Sequence, residues 1–77
     1  MKLIELCSDP SFAIDFGTEI LGDLLDLPEK AENFVYNNEN LILGIIDWVD
    51  LNSYITERQA EVLIDVREKV DRWLERM

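Results

Sequence analysis

The chain has no histidine and a single cysteine among its 77 residues. Without imidazole there is no side chain that ordinarily titrates near neutral pH, no Ser-His or Cys-His dyad, and no zinc site of the usual kind. Catalytic residues are therefore not expected, nor is a cofactor or a resident metal ion. The lone Cys7 excludes a disulfide within the chain and suits a reducing compartment. With no cation nearby in sequence except Lys2, it reads as a small core residue rather than a reactive thiol.

Proline and glycine are also scarce, at two and three residues. No Gly/Pro/Ser linker divides the chain, so residues 1–77 are expected to form one domain. Long apolar runs are missing as well. The few apolar residues between Met1-Lys2 and Asp9-Pro10, interrupted by Glu5, are too short for a signal segment or a membrane span, and a cytoplasmic, intracellular protein is expected.

The scarcest charge is positive: 7 Lys and Arg face 17 Asp and Glu, for a net charge of −10. The imbalance is confined to residues 1–57, where 12 carboxylates face two lysines. Residues 58–77 hold five acids and five bases and balance to zero. Between Ala31 and Glu57 there is no Lys or Arg at all. Such a chain is repelled by nucleic acid and anionic lipid, because affinity for both comes largely from cations that displace counter-ions. It is attracted instead to proteins with a basic surface. Hydrophobic residues make up 48% of the sequence against 31% charged, which is the composition of a folding domain rather than a disordered acidic tail. At this size only one modest core is available.

Asp9-Pro10 is a helix start, an N-cap carboxylate followed by proline at the first helical position. A helix is expected from Pro10 to Asp26, with Phe12, Phe16, Ile20 and Leu24 as its apolar stripe and Ala13, Leu21 and Leu25 widening it. Gly17 and Gly22 imply either a bend or a close helix approach. Leu27-Pro28 ends that element. From Glu29 the apolar positions Ala31, Phe34, Val35, Ile42, Ile45 and Val49 keep helical spacing, while Asn37, Asn38 and Asn40 leave open whether this is one helix or two. Residues Leu41 to Leu51 are apolar nearly all round, as in a central helix buried on several sides. Thr56 and Gln59 form a T-x-x-Q capping box that opens the last helix, residues 56–77. Leu63, Val66, Val70, Trp73 and Met77 then make a seam that packs along a neighbouring helix, either within the chain or between two copies in a homodimer. Asp65–Lys69 and Glu68–Arg72 are stabilising i,i+4 pairs. The segment Lys2–Cys7 suits a short helix or an edge strand. The expected fold is all-α, a small compact bundle of about four helices, its core supplied mainly by Phe12, Phe16, Ile20, Leu24, Phe34, Ile42, Ile45, Val49, Leu63, Val66, Val70 and Trp73.

Asp15, Glu19 and Asp23 repeat at i,i+4, a spacing that disfavours a helix through like-charge repulsion. A rise of about 6 Å per step resembles in scale the separation of phosphates along a strand, so the row suits a nucleic-acid mimic. Asp15, Glu19, Asp23 and Asp26, extended by Glu29 and Glu32, are the expected partner-binding residues. Asp23/Asp26 and Asp47/Asp50 lack the loop that surrounds calcium with oxygens, so no metal site is expected there. Tyr36 is a candidate interface anchor, and Trp48, between Asp47 and Asp50, suits either an anchor or core and boundary packing. The alternative surface is cationic, carried by Arg58, Arg72 and Arg76.

The run Phe34…Leu41-Ile42…Ile45…Tyr54-Ile55-Thr56-Glu57-Arg58-Gln59…Leu63…Val66…Lys69-Val70 resembles a helical hairpin of small phage proteins and of the ends of some phage helicases. In that hairpin an apolar helix is followed by Leu/Ile-Thr/Ser-x-Lys/Arg-Gln and then Leu-x-x-Ile/Val-x-x-Lys. The resemblance spans residues 34–72, its specific part being Ile55-Thr56-Glu57-Arg58-Gln59. It implies a helical bundle associated with phage replication or recombination, similar in architecture to the accessory nucleic-acid-binding modules of RecQ-type helicases. The acidic charge departs from that pattern, the residues before Pro28 have no counterpart in it, and no functional residue carries over. The expected function is that of a non-enzymatic, acidic phage-type accessory or inhibitor protein docking on the basic surface of a nuclease, helicase or defence complex. The alternative is a helicase-associated module that binds branched or single-stranded nucleic acid.

Overall fold

The computed structural model describes residues 3–76 and contains α1 (Leu3–Ser8), α2 (Pro10–Leu25), a 3-10 turn (Glu29–Ala31), α3 (Glu32–Asn52) and α4 (Glu57–Glu75). The fold is all-α, as the periodicity predicts. It measures 35 × 21 × 17 Å, about the length of its longest helix and two helices thick. No helix among the described residues is long and apolar enough to cross a membrane.

Local signals set the boundaries. The Asp9 carboxylate accepts from the Ser11 N–H at 2.9 Å, with Pro10 in the first turn of α2. Thr56 Oγ1 accepts from the Gln59 N–H and Gln59 Oε1 accepts from the Thr56 N–H, both at 3.1 Å, so the capping box is complete. Helix α3 is continuous through Asn37–Asn40, because Asn38 Nδ2 donates to the Phe34 carbonyl at 2.7 Å and the asparagine bonds along the helix instead of breaking it. At the end of α3, Ser53 takes a left-handed φ of 62° and donates its N–H to the Val49 carbonyl at 2.8 Å. Residues 3–7 are helical; Lys2 lies outside the described residues, as does Met77 of the α4 seam.

Helix α2 occupies the middle of the bundle. It packs on α3 along one flank and on α4 along the other, while α3 and α4 touch each other much less, and α1 closes the gap between α2 and α4. On the α3 side Gly17 permits the closest approach: a Cβ there would stand 3.0 Å from Ile46 Cδ1. Leu6, Ile20, Leu24, Ile42, Val49, Leu63, Val66 and Val70 are the largest fully buried side chains. The α4 seam from Leu63 to Val70 is consumed inside the chain.

Several expectations about burial are corrected. Phe12 is 42% exposed and Ala13 takes its place in the core. A strict four-residue spacing precesses by about 40° per step around a helix, so Phe12 has turned well away from the face that Leu24 occupies. Cys7 is exposed, because the short α1 turns Leu6 inward and its neighbour outward. Leu41–Leu51 is not enclosed: only Ile42, Ile45 and Val49 are buried there, while Leu41, Leu43 and Leu51 face solvent. Three other helices, one of them of two turns, are too few to surround α3. Phe34 and Trp73 are half-buried and pack against each other at 6.1 Å between ring centroids. Ile55 and Ala60, beside the α3–α4 connection, are core residues that the apolar stripes did not include.

The two glycines of α2 should respond oppositely to a methyl group. Gly22 is exposed with nothing within 4 Å of an added Cβ, so Gly22→Ala should stabilise by about 0.5–1 kcal/mol through helix propensity. Gly17→Ala has the same propensity gain but presses on Ile46, and its midpoint in urea unfolding should lie below that of Gly22→Ala.

Candidate functional site

The helical repeat sorts the acids of α2 into two sets. Asp15, Glu19 and Asp26 share its solvent face and are exposed, the first two about 6 Å apart along the axis. Asp23 is turned toward α4, where its Oδ2 receives Arg67 Nη1 at 2.7 Å. Arg67 also donates through Nη2 to Asp71 Oδ1 at 2.6 Å and through Nε to the same oxygen at 3.0 Å. Its side chain is only 16% exposed, against 36% for Asp23. Burial alone would lower the Arg67 pKa, but the hydrogen bonds to Asp71 and then to Asp23, with the attraction of both carboxylates, outweigh it and raise the pKa above its ordinary value. The proposed phosphate-like row thus has two free members, Asp15 and Glu19, while its third is neutralised within the bundle.

Beyond Asp26 the acidic surface continues around the end of α2. Glu29 lies in the 3-10 turn and Glu32 opens α3, both exposed, near a helix start where negative charge is favourable. Lys30 is the only cation in the turn, and α2 and α3 contain none. Among the described residues, Asp15, Glu19, Asp26, Glu29 and Glu32 form no ion pair.

The cationic alternative is dispersed. Arg58, in the first turn of α4, and Arg72, in its last, lie about 21 Å apart along the axis. Arg76 stacks its guanidinium 5.7 Å from the Trp73 ring centroid. Lys69 is bound to Asp65 at 2.9 Å, as the i,i+4 spacing predicts, whereas the second such pair is Arg67–Asp71 and not Glu68–Arg72. Glu61, Asp65 and Glu68 alternate with these cations on the outer face of α4, so no basic patch develops.

The sequence reading missed an apolar groove between the C-terminal half of α2 and the first half of α3. Its larger cavity, about 330 Å³, is lined by Leu24, Leu25, Leu27, Val35 and Tyr36 with Glu29, Glu32 and Glu39 at its edges. The periodicity of α2 places Leu21 and Leu25 on the buried stripe, but Leu25 is 74% exposed. The available signal was the width of that stripe, which extends to Leu25 beyond the surface that α3 and α4 cover. Tyr36, an expected interface anchor, borders this groove; Trp48 instead packs edge-on against Tyr54 at 5.0 Å, at the other end of α3. Among the described residues no three Asp, Glu or Cys side chains converge as ligands for a metal ion.

Compared with known proteins, the chain matches no family model, no curated protein and no solved structure.

The Asp23–Arg67 bond should be measurable by a double-mutant cycle of Asp23→Asn and Arg67→Met in urea unfolding. A coupling energy of about 0.5–1 kcal/mol is expected, limited by the partial solvation of Asp23 and decreasing at high salt.

Proposed function

We propose that this protein is a non-enzymatic, cytoplasmic accessory or inhibitor protein that docks on the basic surface of a nucleic-acid-handling protein. The observation that carries this reading is the separation of charge in the fold. Helix α2 with its cap, the 3-10 turn and the start of α3 present Asp15, Glu19, Asp26, Glu29 and Glu32 to solvent with Lys30 of the turn as their one cation, while all the arginines lie on or next to α4. A field of one sign over one side of a small molecule steers it toward a surface of the other sign and accelerates encounter at low salt. The resemblance of residues 34–72 to phage helical hairpins agrees with a partner in replication, recombination or host defence. The row Asp15, Glu19 and Asp26 takes the role first assigned to Asp15, Glu19 and Asp23, since Asp23 is held by Arg67.

Competition with DNA tests this reading. Proteins of a cell lysate retained on DNA-cellulose at low salt should be displaced by the protein. The triple variant Asp15→Lys/Glu19→Lys/Asp26→Lys, verified as folded by its circular dichroism, should displace at least about tenfold less, because encounter and affinity depend on this charge. Equal displacement by both would overturn the reading. A low-salt gel shift with single-stranded or branched DNA that is lost on changing Arg58, Arg72 and Arg76 to Gln would favour the helicase-module alternative.

A further inference from the structure

Exposed apolar side chains and unpaired acids meet in one place, the groove between α2 and α3. A second cavity of about 150 Å³, lined by Leu21, Leu25, Glu39 and Leu43, adjoins the larger one, and the two share Leu25 and Glu39. Tyr36 and Leu43, at the two ends, are seven residues apart on α3, about 10 Å or two helical turns. Tyr36 is 68% exposed and Leu25 74% exposed, so both present apolar surface that no part of the described chain covers. The ionisable groups along the groove are all acidic: Glu29, Glu32 and Glu39, the last half-buried at the junction of the two cavities. Lys30, on the adjoining turn, lines neither cavity.

We propose that this groove receives a cationic amphipathic helix of a partner protein. Apolar side chains along one face of that helix enter the two adjoining cavities within the two-turn span of the groove, and Lys or Arg residues beside them meet Glu29, Glu32 and Glu39. Charge selects this occupant over a second copy of the chain. Two copies each carrying −10 would bring their acidic rims together. The one segment with several cations, α4, contributes none of the large exposed apolar side chains that could fill a cavity. The inference rests on the acidic-docking reading for the sign of the partner's charge and adds to it where the contact is made and what secondary structure the partner offers.

A synthetic Leu/Lys helix with leucines at i, i+3 or i+4, and i+7 is the probe, compared with its Leu/Glu counterpart and a scrambled Leu/Lys peptide. Amide NMR shifts of the full chain on titration should concentrate between Leu21 and Leu43. Leu25→Gln/Tyr36→Gln, at positions too exposed to hold the fold, should weaken binding at least about tenfold. Glu29→Gln/Glu32→Gln/Glu39→Gln should weaken it several-fold and flatten its salt dependence, while Asp47→Asn/Glu61→Gln, exposed acids that line neither cavity, should leave it nearly unchanged. Equal binding of the scrambled or Leu/Glu peptide, shifts centred elsewhere, indifference to Leu25→Gln/Tyr36→Gln, or groove shifts produced by protein concentration alone would each overturn the proposal. Retained displacement of proteins from DNA-cellulose by a chain that fails to bind the probe would overturn the groove and leave the acidic-docking reading standing. Probe binding without displacement would do the reverse.

Discussion

The core of this bundle contains no buried polar or charged side chain among the described residues, so its interior is held by apolar packing. Packing of that kind is non-directional, and neighbouring registers of one helix on another differ little in apolar area buried. The Arg67–Asp23 bond is the one side-chain polar contact between helices among the described residues, and it distinguishes the observed placement of α2 on α4 from its neighbours. On the opposite flank that discrimination comes from shape, at Gly17, where Ile46 fits against bare backbone. One flank of α2 is registered by charge and the other by the absence of a side chain.

The same ion pair shapes the surface. Arg67 is turned inward to meet Asp23 and Asp71, and so is removed from the cations available to balance the outer acids. Lys69 is engaged by Asp65 and Arg76 by the Trp73 ring, which leaves α4 nearly self-compensated. The excess negative charge therefore remains on α2, the 3-10 turn and α3. The arrangement costs stability through self-repulsion.

Helix boundaries were legible because they are written in local chemistry: Asp9-Pro10, Leu27-Pro28 and the Thr56/Gln59 box each act within a few residues. The α4 seam was legible because its spacing of three and four keeps Leu63, Val66 and Val70 on one line. Phe12 was misplaced because its spacing of four drifts around the helix, and Leu41, Leu43 and Leu51 because the sequence does not state how many neighbours a helix will have. Of the candidate site, Asp15, Glu19, Asp26, Glu29 and Glu32 were recognisable as exposed acids from charge pattern alone. The engagement of Asp23 by Arg67, 44 positions away, and the groove at Leu25 and Tyr36 depend on the angle at which helices cross, which no local pattern encodes.

The central place of α2 also governs how the chain acquires its structure. Helices α3 and α4 are consecutive and joined by a short connection, yet they contact each other far less than either contacts α2. A hairpin of α3 and α4 alone would leave most of its apolar surface in water, and so has little stability as a local intermediate. The consecutive pair that does match its apolar surfaces is α2 and α3, joined by the short 3-10 turn and in the most extensive contact of any two helices, whereas α4 reaches α2 only by closing a loop across the whole of α3. The α2–α3 hairpin is therefore the local half of the fold, and the docking of α4 on α2 its non-local half.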